Sequence, residues 1–96
     1  MEKGDLKINK NTGVHCTTEE LANQVLAIAS KLGYKWKYED SYKDYNLWYI
    51  YREQTCYDLT VGSYCNIDYY KNEKYNIIEA WDFLKLHENN EAKTST

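Results

Sequence analysis

The chain has 96 residues and a mass of 11.5 kDa, room for one small domain with one core. Apolar residues make up 43% and aromatics 16%, which excludes a largely disordered chain. Twelve basic against fifteen acidic residues give a net charge of -3, and Arg52 is the only Arg, a balance that argues against direct duplex nucleic-acid binding.

Mean hydropathy is -0.84. No apolar run approaches the ~18–20 residues that span a bilayer, and the first thirty residues lack a signal-peptide core. A soluble cytoplasmic protein with no membrane partner is expected. Three Cys is an odd number for a disulfide framework. Cys16, Cys56 and Cys65 are therefore expected as reduced thiols behaving as small hydrophobes.

Residues 1–5 read as frayed. A short edge strand is expected near Leu6–Asn9 and a turn near Asn11–Gly13, with Val14 and Cys16 pointing inward. Thr17 followed by Glu20 reads as a capping box, each side chain satisfying a free backbone NH of the other residue. Glu19 and Glu20 also suit the positive end of a helix dipole. Leu21, Val25, Ile28 and Leu32 recur at helical spacing, and Gly33 follows as a C-terminal stop. This predicts a helix over 18–32.

Tyr34, Trp36 and Tyr38 alternate with Lys35 and Lys37, which predicts a strand. Residues 39–46 have no clean period and read as a charged surface loop. Residues 47–61 alternate in aromatic and β-branched positions around Arg52–Gln54 and read as a β-hairpin, with Gly62 and Ser63 ending its second strand. Asn66 is a cap for a short helix over 67–72, with Ile67 and Tyr70 on one side. A last strand runs over 75–80. Trp81, Phe83 and Leu84 pack after it in about one helical turn.

These elements predict a small α+β domain over residues 1–86: a mostly antiparallel sheet of about four strands, packed as two layers on one main helix. Residues 87–96 read as a disordered polar tail.

The sequence carries no phosphate-binding loop, dinucleotide fingerprint or nucleophile elbow. His15 beside Cys16 suggests a zinc site completed by Cys56 and Cys65, but spacings of 40 and 9 residues lack the tight Cys pair such sites use. It also suggests a Cys–His nucleophile, but neighbours on an extended chain point to opposite faces. Pairing His15 with Cys56 or Cys65 instead needs the fold to bring them together. Solvated surface accounts for the plentiful carboxylates. No catalytic residue, metal or cofactor is expected.

The aromatic segment is the remaining signal. Tyr and Trp give large, stiff, amphipathic contact area, and both faces of 48–51 are aromatic, more than one sheet face can bury. Trp36, Tyr38, Glu39, Asp40, Tyr42, Asp44, Tyr45, Trp48, Tyr49 and Tyr51 form the candidate protein-binding set. Aromatics also stack on bases, so a small nucleotide is an alternative ligand, and a homo-oligomer stays open.

Residues 12–36, TGVHCTTEELANQVLAIASKLGYKW, resemble a group of small accessory phage and prophage proteins of low-GC Gram-positive bacteria. There a TGV-x-C segment leads through a Thr/Glu-capped helix to a GYKW pattern. YNIIEAWDFL at 75–84 fits the group's ending. The resemblance implies a product acting inside a bacterium, a non-enzymatic inhibitor that binds and blocks a host bacterial defence protein, as anti-CRISPR proteins do. The alternatives are a nucleotide-binding sponge that sequesters a defence signal, and a small enzyme using thiol or carboxylate chemistry.

Overall fold

The computed structural model describes residues 10–42 and 44–95. The edge strand expected near Leu6–Asn9 lies outside them. Four strands, β1 (Thr12–Cys16), β2 (Thr55–Asp58), β3 (Ser63–Asn66) and β4 (Asn76–Glu79), form one sheet in the order β3-β2-β1-β4. β1 runs antiparallel to β2 and parallel to β4, and β2 runs antiparallel to β3, so the sheet is mixed. The two longer helices, α1 (Glu19–Lys31) and α4 (Ala80–Ser95), pack on one face. The predicted two-layer α+β architecture is the observed one.

Side-chain alternation along β1 divides the two faces. Val14 and Cys16 enter the core with Ala22, Val25, Leu26, Ala29, Tyr57, Phe83 and Leu84. Gly13 and His15 face the other way. There the short helix α3 (Ile67–Asn72) lays Tyr70 over the strands. Gly13 sits inside β1 rather than in a turn, and it is small for a reason of space: a Cβ there would lie 2.7 Å from Cys56 Sγ.

Helix α1 forms where the apolar period places it, but its cap is Thr18, not Thr17. Thr18 is extended, and its Oγ1 accepts from Leu21 N at 3.1 Å. The residue three positions on is then Leu21, so no carboxylate completes a capping box. The buried stripe is Ala22, Val25, Leu26 and Ala29; Leu21 and Ile28 are half-buried and Leu32 is 36% exposed. Gly33 follows with φ 98°, as its place after the helix predicted.

Two predicted strands are absent from the described residues. The 34–38 segment is a turn: Trp36 N donates to Asp40 O and Glu39 N to Trp36 O, both at 2.9 Å, with Glu39 at φ 81°. These bonds use backbone groups that a sheet ladder would need. The 47–61 hairpin is also displaced. Residues Trp48–Tyr51 form one helical turn, α2, continued by a 3-10 turn over Arg52–Gln54. Leu47 at φ 58° starts it, and Asn46 Oδ1 accepts from Trp48 N at 2.9 Å. The hairpin that forms joins β2 to β3, so Gly62 lies in its turn and Ser63 opens the next strand. Helix α3 matches its prediction: Asn66 Oδ1 accepts from Tyr69 N at 3.0 Å and Tyr70 is buried. Phe83 and Leu84 pack inward, while α4 runs far beyond one turn, through the polar segment to Ser95. Among the described residues no helix is long and apolar enough to cross a membrane.

Candidate binding site: an aromatic cleft beside the hairpin turn

The β2–β3 turn carries Gly62 against the backbone of residues 35–37, and Lys37 N donates to Gly62 O at 3.0 Å. A Cβ on Gly62 would meet Lys37 N, Lys35 O and the Trp36 carbonyl carbon, and its φ of 85° is the left-handed region that favours glycine. This close approach fixes the 35–38 turn on the edge of the sheet. A cleft of about 290 Å³ opens there.

Its walls are rings. Trp36 is 4% exposed and forms the inner wall. Tyr45 stacks on it at 5.7 Å and 25°, and Tyr64 meets it edge-on at 6.0 Å. Behind Trp36, Tyr42 is buried edge-on at 4.7 Å, and its hydroxyl donates to Leu59 O at 2.8 Å. Burial, then the Asp58 charge, pushes the Tyr42 hydroxyl well above the usual tyrosine range. The Trp36 indole donates to Tyr45 O at 3.2 Å. The Tyr45 hydroxyl donates to Asp40 Oδ2 at 2.7 Å, and that bond is the main reason its acidity is weakened. Tyr38, 82% exposed, stands at the rim with Lys37 Nζ 5.9 Å from its ring centre. The arrangement offers stiff apolar surface in three orientations with one cation beside it. Such surface suits a flat or apolar group.

Of the ten residues named from sequence, the fold brings Trp36, Tyr38 and Tyr45 to the cleft. Tyr42 and Asp40 support it from behind. Glu39 is occupied by Lys35 Nζ at 2.7 Å, and Asp44 is exposed in the adjoining loop. Tyr51 reaches the cleft only through Tyr64, ring centres 5.9 Å apart. Trp48 and Tyr49 do not line it. The Trp48 indole donates to Cys16 O at 3.0 Å and packs on the core, while Tyr49 faces solvent. The helical turn therefore sorts the aromatics of 48–51 in a way a strand would not. Sequence reasoning missed Lys37, Leu47, Gly62, Ser63 and Tyr64. The Gly62–Tyr64 group belongs to a turn some 25 residues away, and the approach of Gly62 to residues 35–37 and the Trp36–Tyr64 ring contact join the two segments.

The cysteine hypotheses also meet the geometry. Cys16 points into the α1 side of the sheet, whereas His15, Cys56 and Cys65 share the opposite side, so these four cannot close on one ion. His15 is opposite Cys56 in register, yet its ring nitrogens turn elsewhere. Nδ1 pairs with Glu79 Oε1 at 2.9 Å and Nε2 lies 2.8 Å from Glu53 O. Burial, then the Glu79 charge, pushes the Cys56 thiol up to about 12. Burial raises Cys16 further. Thiols so raised are poor nucleophiles.

No protein-family model matches the chain, and no curated protein or solved structure matches it.

Proposed function

We propose that the protein acts by stoichiometric, non-covalent binding through this cleft, as an inhibitor that occupies and blocks a bacterial host defence protein. One observation carries the reading: Tyr38 and Tyr45 stay exposed over a ring-lined cleft while the core closes without them. Exposed aromatics held by a rigid support are the residues that dominate interface energies. The partner class comes from the resemblance of residues 12–36 and 75–84 to accessory phage proteins. Asp44 and Asp40 beside the cleft suit a partner with a basic contact surface.

A second reading is a nucleotide sponge, and Lys37 beside the Tyr38 ring favours it. A base stacked in the cleft would place a phosphate near Lys37. The cleft lies at the small end of ligand pockets, which run from ~300 Å³ upward, and the chain's single Arg weakens bidentate phosphate capture.

Immobilised protein is exposed to lysate of a phage-sensitive Gram-positive host, and the retained protein is tested for inhibition against added protein. The reading requires a defence protein retained by the native chain, inhibition complete near one equivalent, and loss of both with Tyr38→Ala. Inhibition of a large molar excess of target by a trace of protein would indicate catalysis and overturn it. A nucleotide released by heating the purified protein, found by mass spectrometry, would favour the sponge.

A further inference from the structure

Four chemically active side chains stand in one row across the sheet face turned away from α1. Register places Glu79 beside His15, His15 opposite Cys56, and Cys56 opposite Cys65. Directly opposed residues on antiparallel strands have Cα atoms about 4.5–5.5 Å apart. A disulfide needs about 4.4–6.8 Å. Both cysteines are free thiols, Cys56 buried and Cys65 half-buried on β3, an edge strand. We propose that Cys56 and Cys65 are a redox-active dithiol, closed to a cross-strand disulfide by low-molecular-weight disulfides and reopened by thiols. This inference rests on strand register and does not depend on the binding reading above.

The environments of the two thiols assign their order. Cys65 lies nearer solvent, and its thiol donates to the Tyr51 hydroxyl at 3.9 Å. Cys56 is enclosed, with Sγ in the notch that Gly13 leaves. Burial, then the Glu79 charge, pushes its thiol up to about 12 and makes it the weaker first attacker. Cys65 therefore loses its proton to solvent and attacks one sulfur of a small disulfide RSSR. The RS–SR bond breaks, one thiolate leaves and takes up a proton, and Cys65 carries a mixed disulfide. Cys56 then turns its Sγ out of the Gly13 notch toward Cys65, loses its proton and attacks the Cys65 sulfur, and the second RSH leaves. The balance is dithiol plus RSSR giving protein disulfide plus two RSH. Cys16, on the other side of the sheet, takes no part.

The test uses the full chain, reduced, then incubated with oxidised glutathione under native conditions, alkylated and digested. Trypsin leaves both cysteines in the peptide Glu53–Lys71, and chymotrypsin cuts between them at Tyr57 and Tyr64. The expected result is that the tryptic peptide carries no alkyl group and is two hydrogens lighter than the unalkylated dithiol peptide, and that the chymotryptic fragments stay joined until dithiothreitol is added, with Cys16 alkylated as a free thiol. Cys65→Ser should abolish both the bond and glutathione addition. Cys56→Ala, checked for folding by near-ultraviolet circular dichroism, should stop at a glutathione adduct on Cys65. The native chain alone decides the matter if that variant unfolds. Wild-type protein that accumulates only a glutathione adduct, links Cys65 between two chains, or leaves both thiols reduced overturns the proposal.

Discussion

The Tyr75 hydroxyl donates to Oδ2 of Asp58 at 2.6 Å, tying the approach to β4 to the end of β2. Asp58 is 1% exposed, and its other oxygen accepts from Thr60 Oγ1 at 3.1 Å and Val61 N at 3.3 Å. One buried carboxylate thus holds the turn that delivers Gly62 to the cleft. Tyr75→Phe removes a donor from a buried acceptor and should cost about 1–3 kcal/mol in urea unfolding. A change indistinguishable from zero would mean that this bond contributes nothing to the fold.

The same bond sets an alkaline limit. Hydrogen bonding to Asp58, then burial, pushes the Tyr75 hydroxyl from 10.0 up to about 12. Burial raises Tyr42, Tyr57 and Tyr70 as well. The folded chain therefore keeps protons that the unfolded chain loses above about pH 10. Stability from these groups is fully present below that value and falls as pH rises through the folded values. Thermal melts should be flat in this respect from about pH 8 to about pH 10 and drop beyond it. Tyr75→Phe should make the drop shallower, and an equal slope in both proteins would remove Tyr75 from the account.

Features decided by neighbours in the chain were legible. Asn66 caps α3 as read because its accepting side chain and the donating Tyr69 N lie three residues apart. Thr17 and Thr18 are chemically alike, so the pattern found the helix and missed its cap by one. Residues 48–51 alternate like a strand, yet over four residues alternation does not distinguish a strand from a helical turn. What selects the turn is Asn46. Its amide also donates to Glu19 Oε2 and Asn23 Oδ1 on α1, and its carbonyl accepts from Tyr57. Trp36 and Tyr45 were named from sequence because aromatic surplus is visible there. Tyr64 was not, because its place beside Trp36 depends on the Gly62 contact between distant segments.

The corrected stripe of α1 gives a contrast. Leu26 is 1% exposed against the sheet, whereas Leu32 closes the helix near solvent. Leu26→Ala should cost about 2–5 kcal/mol, the range for a buried leucine that leaves a cavity. Leu32→Ala should cost less than about 1 kcal/mol, since it vacates little buried space. Urea midpoints measured side by side check this. Equal losses would mean that the helix is rotated from the orientation described.

Gly62→Ala tests the joint between hairpin and cleft. The added methyl meets backbone atoms of residues 35–37, which cannot rotate away as a side chain would, and the positive φ adds strain. The loss should exceed about 1 kcal/mol. Because Lys37 N bonds Gly62 O, the 35–38 turn should be displaced with it, and Trp36, the inner wall, should become more accessible to acrylamide quenching. Retained stability with unchanged quenching would show that the close approach is not needed.

Binding and folding must be separated in choosing cleft variants. Tyr42 belongs to the core: it is 3% exposed and bonds Leu59 O, so Tyr42→Ala should destabilise by about 3–5 kcal/mol and would report unfolding. Asp40→Lys is also mixed, because Asp40 anchors the Tyr45 hydroxyl. Tyr38→Ala and Asp44→Lys leave the described core untouched. Tyr38→Ala should lower the affinity for the retained partner by about thirtyfold or more with an unchanged melting temperature, since an aromatic hot spot at an interface contributes about 2 kcal/mol or more. Asp44→Lys should act on association rate, slowing it at low salt and converging with the native protein at high salt, as a rim charge steers encounter and is screened. Stopped-flow association at two ionic strengths, with melts alongside, checks both. If both variants bind as the native chain does, while substitutions on the exposed face of α1 abolish binding, the cleft is not the contact surface.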